Sequence, residues 1–166
     1  MYRLIVLFLM LAACAPPDPP AAVAFRTAGA PIYSSAVLEL ARLSGRWVQV
    51  ATFAPGGRAA CGPGMADFTA GAMRWDLCLS DGRHSGAAPL VPGQPGRFGV
   101  KGLGDLWVLW ADADYRTLVI GTPAGHIGFV LNRDAVLPTD RLNAVRDILR
   151  FNGYRIEDLV VFQVRP

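Results

Sequence analysis

The sequence predicts an all-β fold, an eight-stranded up-and-down antiparallel barrel with one C-terminal α-helix packed outside it and a final short strand. Three observations lead there. Between residues 45 and 134, short β-prone runs recur, each broken by Gly, Pro or Asp. The apolar spacing switches to a helical period only after Pro138. The chain has 166 residues, 52% of them hydrophobic, enough for one sizeable core and one domain.

Taken in order, Ser35 is expected to cap a short helix over 36–43, ending near Ser44. Strands follow at 45–53, 65–70, 72–80, 83–92, 96–102, 105–112, 115–122 and 125–134. In the third, Met73, Trp75, Leu77 and Leu79 alternate with Arg74, Asp76 and Cys78, the period of a half-buried strand. Gly71 marks a tight hairpin between the second and third. Thr139 is expected to cap the C-terminal helix, with Asp140 in its first turn. Leu142, Val145, Ile148 and Leu149 supply its apolar stripe, and Asn152-Gly153 ends it. A last strand covers 158–164. Eight strands, one helix and one strand suit a barrel carrying a helix on its outside.

The first 14 residues read differently. Arg3 precedes an apolar run, Leu4–Ala13, too short to span a bilayer but suited to a secretion signal. Leu11-Ala12-Ala13-Cys14 resembles the lipobox of bacterial lipoproteins. That resemblance implies cleavage after residue 13 and lipidation of Cys14, the membrane anchor. Residues 14–34, rich in Pro and Ala, read as a lipidated cysteine and semi-rigid tether, and 35–166 as the domain. Ala15 rather than aspartate after Cys14 points, by enterobacterial sorting rules, to the outer membrane. The expected location is therefore the bacterial cell envelope, facing the periplasm.

Lipidation of Cys14 leaves Cys61 and Cys78, and in an oxidising compartment such a pair is more often a disulfide than two thiols. A turn at Ala70-Gly71 pairs Thr69 with Ala72, Phe68 with Met73 and Ala66 with Trp75. The same register sets Cys78 opposite Pro63, two residues from Cys61, so a bridge is sterically feasible.

Three segments, in order along the body, resemble lipocalin signatures. Gly45-Arg46-Trp47 looks like the family's Gly-x-Trp; Asp112-Ala113-Asp114-Tyr115 resembles its Thr-Asp-Tyr. Arg133 matches the arginine that in lipocalins packs over the tryptophan, a cation–π contact closing one end of the barrel. The stretch 137–163 resembles the bacterial outer-membrane lipoprotein branch, relatives of apolipoprotein D. There are departures: Ala113 stands for Thr, and the first strand reads Trp-Val-Gln where that branch usually has Trp-Tyr-Glu.

The resemblance implies one small ligand held inside the barrel. Alternation nominates Ala66, Phe68, Met73, Trp75, Leu77, Phe98, Val100, Val108, Trp110, Val119, Ile127, Phe129 and Leu131 as its lining. That apolar, aromatic surface suits a fatty acid or lysophospholipid, with Arg58, Arg83 or His126 near the mouth to meet an anionic head. The alternative is a barrel whose aromatics fill a solid core, acting as an interaction or structural module of the envelope.

Other classes are disfavoured. Without Arg3, the 16 basic and 13 acidic residues become 15 and 13, a net charge of +2 with no basic run, which argues against nucleic acid. His84 and His126, far apart in sequence, make no metal motif, and no cofactor is expected. A free Cys61 would be a candidate nucleophile, but the disulfide would occupy it and neither histidine is visibly paired with it. Asp112 and Asp114 are expected to cap backbone groups of a turn rather than do acid–base work. The chain thus reads as a binding protein, not an enzyme, of open oligomeric state.

Overall fold

A computed structural model describes residues 23–165, with side chains through 163. Cys14, the leader and tether residues 15–22 lie outside the described residues.

The body is a closed antiparallel barrel of β1 (Gly45–Phe53), β2 (Met65–Thr69), β3 (Ala72–Leu79), β4 (Gly82–Pro92), β5 (Arg97–Val100), β6 (Gly104–Ala111), β7 (Thr117–Gly121) and β8 (Gly128–Asn132). Each strand pairs with the next, and β1–β8 pairing closes the ring. The predicted hairpin register holds: Phe68 pairs with Met73 and Ala66 with Trp75. The strand expected over 83–92 runs from Gly82 to Pro92, while that expected over 96–102 shrinks to Arg97–Val100.

Helix α1 (Thr139–Phe151) begins at Thr139 itself, with Pro138 in the flanking position, one residue from the expected cap. Its buried stripe, Leu142, Val145 and Leu149, lies against the outer face of the barrel. Each of these side chains contributes about 2 kcal/mol by burial. After the helix, β10 (Leu159–Val161) pairs with Ala51–Phe53 of β1, the half of that strand that β2 leaves free. A short parallel pair, β9 (Leu137–Pro138) with β11 (Val164–Arg165), completes the C-terminus.

Two N-terminal expectations need correction. The helix expected over 36–43 is only a 3-10 turn at Leu40–Leu43, and the Ser35 N–H instead donates to the Val108 carbonyl, 2.8 Å away. Nor are residues 25–34, read as tether, free of the barrel. Phe25 is fully buried against Phe53, with ring centroids 5.6 Å apart. The Arg26 guanidinium donates to the carbonyls of Asn152, Pro123, Ala30 and Pro31. An apolar ring and a fully committed cation among polar carbonyls outweighed the Pro-rich composition.

Two apolar clusters result. The inner one fills the barrel; the outer one lies between the barrel wall, α1 and the N-terminal segment. In the outer cluster the Tyr154 ring lies flat on β7 and β8. A side chain at Gly121 or Gly128 would clash with it, since a Cβ there would come within 2.3 and 2.9 Å of Tyr154 atoms. Burial pushes the Tyr154 hydroxyl pKa up to about 12, against lowering by its hydrogen bond to Thr122 and the Arg26 charge.

Candidate functional site

Strand direction defines the two ends of the barrel. The 3-10 turn and the β2–β3, β4–β5 and β6–β7 turns share one end; loops 54–64, 80–81, 101–103 and 122–127 share the other.

The first end is closed as the resemblance implied. Arg133 stacks on Trp47, its guanidinium carbon 3.7 Å from the ring centroid. It donates to the Arg46, Arg42 and Ser44 carbonyls at 3.0 Å each, while the Trp47 indole N–H donates to the Leu43 carbonyl at 2.7 Å. Partial burial, then the neighbouring Arg116 cation, lowers the Arg133 pKa. Asp112 caps the β6–β7 turn by accepting N–H groups from Arg116 and Thr117. Tyr115 there takes φ +52°, a left-handed position that the capped turn sustains. Asp114, expected to share that role, is exposed and accepts no backbone bond among the described contacts. Gly45, with φ +96°, starts β1 beside Arg133.

Ten of the nominated lining residues sit in the inner cluster: Ala66, Phe68, Met73, Trp75, Leu77, Phe98, Val100, Val108, Phe129 and Leu131. Ile127 packs half-buried against it. Trp110 and Val119 are corrected: both belong to the outer side. The ladder shifts between Val108 and Trp110, so Leu109 is an extra residue that turns Trp110 outward. Strand β7 is buried on both faces, so alternation could not orient it; Leu118 and Ile120 point inward and Val119 outward. Sequence reasoning also missed Leu43, Ala88, Leu103 and Leu106. Leu79, which shares the face of Trp75, was legible from alternation alone.

The interior is filled. Its buried side chains are at most 8% exposed. The largest near the open end, the Trp75 indole, lies over Gly86 of β4 and reaches Gly102 in the β5–β6 turn. A Cβ on Gly86 would come within 2.5 Å of that ring, so only glycine admits it. At the closed end a cavity of about 380 Å³ remains, lined by Leu40, Leu43, Phe68, Leu90 and Phe98 with the β2–β3 turn. At the open rim a smaller cleft, about 250 Å³, lies between Leu103–Asp105 and the β7–β8 loop with His126.

Two polar residues point inward below the rim. The Gln49 amide donates to the Cys78 carbonyl and accepts the Cys78 N–H, both at 2.8 Å. Thr52 donates to the same carbonyl at 2.8 Å. Where β2 parts from β1, the Gln49 side chain thus stands in for a missing peptide group, linking β1 to β3. This explains glutamine in the first strand, since a carboxylate cannot supply the donor.

The open rim holds the three nominated polar residues, in different roles. Arg83 pairs with Cys78 on the outer face and donates to the Gly62 and Pro63 carbonyls of the β1–β2 loop and to Asp76. It staples that loop and does not face the mouth. Arg58 is exposed; the exposed His126 ring has Nδ1 3.4 Å from the Val23 carbonyl. The group that does share the inner face is His84, opposite Leu77, with Nε2 2.7 Å from Asp81. A turn at Ser80-Asp81 would have predicted this placement. Cys61 and Cys78 form a disulfide, Cα atoms 5.7 Å apart, leaving neither sulfur as a free thiolate nucleophile. Among the described residues no group of three His, Cys, Asp or Glu side chains could hold a metal.

A closed barrel with this Trp–Arg seal and an outer C-terminal helix is a lipocalin-like fold. A family model described as a lipocalin-like domain matches residues 96–163. Among solved structures, rat lipocalin 12 is 13% identical with a TM-score of 0.58, over 84% of this chain and 91% of that one. The siderocalin Ex-FABP, described as functioning through dual ligand specificities, is 14% identical with a TM-score of 0.55, over 75% and 92%. At such identities the likeness is one of fold. No curated protein matches the sequence.

Proposed function

We propose that the protein is a lipid-anchored lipocalin of the bacterial envelope that binds one small hydrophobic ligand, a fatty acid or lysophospholipid, for transport, storage or scavenging. The observation that carries this is the inner wall: below the rim it bears no charged side chain, and its two polar groups are committed to Cys78. Such a wall offers nothing to a polar ligand and suits an acyl chain. Trp75 is the gate in this reading, the largest inner side chain near the open end, packed on Gly86, and the one a ligand entering there must displace. The closed-end cavity, about 380 Å³, is within the ordinary size range of ligand pockets. The His84–Asp81 pair on the inner face of the rim is placed to meet a head group. Lipidation of Cys14 rests on the lipobox resemblance.

The tight filling of the barrel favours a second reading, a solid barrel meeting an envelope partner through its loops. A single titration separates them. A Cys14→Ser form, stripped of lipid, is titrated with fatty acids and lysophospholipids while tryptophan fluorescence is followed. Ligand binding predicts a saturable quench or blue shift that Trp75→Phe largely removes, since Trp107 and Trp110 lie outside the barrel and the other inner tryptophan, Trp47, is held under Arg133 in the closed-end seal. A flat response from the folded protein would instead establish the solid-barrel reading.

A further inference from the structure

We propose that the open rim of the barrel is the face held against the membrane, docked on a phospholipid bilayer by the way the chain leaves the domain. This rests on the proposed lipidation of Cys14. The first described residue, Val23, lies at the open rim, its carbonyl beside His126 of the β7–β8 loop. The chain is fixed there within two residues. The Phe25 N–H donates to the Gly125 carbonyl at 2.8 Å, its ring is fully buried, and Arg26 locks onto the Pro123 carbonyl of the same loop.

Eight residues separate Cys14 from Val23. Fully extended, that span covers about 30 Å. The nine residues of β1 are themselves about 30 Å long. With barrel strands tilted about 40° to the axis, turning the closed end toward the bilayer would still stretch about three-quarters of the tether along the barrel wall. With the rim toward the bilayer, the same tether has length to spare.

The rim loops fit that contact. Residues 54–64 and 122–127 are mostly Gly, Ala and Pro, with small side chains that sit at an interface at little desolvation cost. Arg58 of the first of these loops and Lys101 of the β5–β6 turn at the same rim are exposed, where phosphate head groups would lie. The Trp75 gate then opens toward the bilayer.

The test uses the full lipidated protein on vesicles of phosphatidylethanolamine and phosphatidylglycerol carrying a head-group spin label. A fluorophore is placed on Ala124→Cys at the rim or on Gln94→Cys at the closed end, both exposed. Flotation with the vesicles, lost in Cys14→Ser, establishes the anchor. Quenching several-fold stronger at 124 than at 94, evened out by about 20 Gly/Ser residues inserted after Asp18, supports rim docking. Equal quenching, or stronger quenching at 94, in protein that still floats overturns the docking and leaves the anchor standing. Protein that does not float overturns both.

Discussion

Replacing Gln49 with glutamate tests the account of the β1–β3 seam. Gln49 is fully buried and uses both ends of its amide on the Cys78 backbone, at 2.8 Å each way. In the variant, the ionised carboxylate would face the Cys78 carbonyl with no proton to donate. Protonated, the carboxylic acid supplies one donor and one acceptor, as the amide does. The folded state therefore holds the proton and raises the group's pKa above its ordinary value, whereas the unfolded chain releases it there. Stability should match wild type in mild acid and fall by about 1.4 kcal/mol for each pH unit above the ordinary glutamate value. The fall stops where the folded protein itself ionises. Near neutrality the loss is about 3–4 kcal/mol, or about 10 °C in Tm for a domain of this size. Urea denaturation of both oxidised proteins at pH 5 and pH 7.5 measures it. A pH-independent difference, or none, would show that Gln49 does not bridge β1 and β3 as described.

The remaining expectations follow from other contacts. Because burial holds the Tyr154 pKa near 12, its contribution is intact below the ordinary tyrosine value and is lost as pH rises from there toward 12. Alkaline melts should therefore lose about 2–3 kcal/mol over that window, and Tyr154→Phe should flatten the slope; an unchanged slope would point to another group. Arg133→Lys keeps the charge but loses the planar fork that spans three carbonyls and stacks on Trp47. It should cost about 2 kcal/mol in chemical denaturation, and a neutral result would mean the seal is held by Trp47 packing alone. Reducing the disulfide, or replacing Cys61 and Cys78 with Ala, reopens a sequence separation of 17 and should cost about 3 kcal/mol. The fold should survive in circular dichroism; outright unfolding would mean the bridge carries more than loop entropy.

How much of this was legible in the sequence depended on how local each signal was. The β2–β3 register, and with it the placement of Cys78 near Cys61, followed from one glycine turn and strict alternation. The helical stripe Leu142–Leu149 was readable from its period, and the closing Trp47–Arg133 contact only from the resemblance to lipocalin signatures. Alternation failed where the physics stopped being local. The extra residue at Leu109 turns Trp110 outward into the cluster beneath α1, and no pattern inside the strand announces that shift. Strand β7, apolar on both faces, has no phase to read. The docking of Phe25 and Arg26 and the Gln49 bridge to Cys78 join residues tens of positions apart, and the Trp75 ring over Gly86 joins two strands across a hairpin. Sequence by itself determined a barrel with an outer helix and a disulfide, because hairpin turns and periodicity act between near neighbours, while its closed end followed from the lipocalin resemblance. Only the tertiary structure decided which face of β6 and β7 looks inward, how full the interior is and where the chain leaves the rim. Those depend on which surfaces meet when the sheet closes on itself.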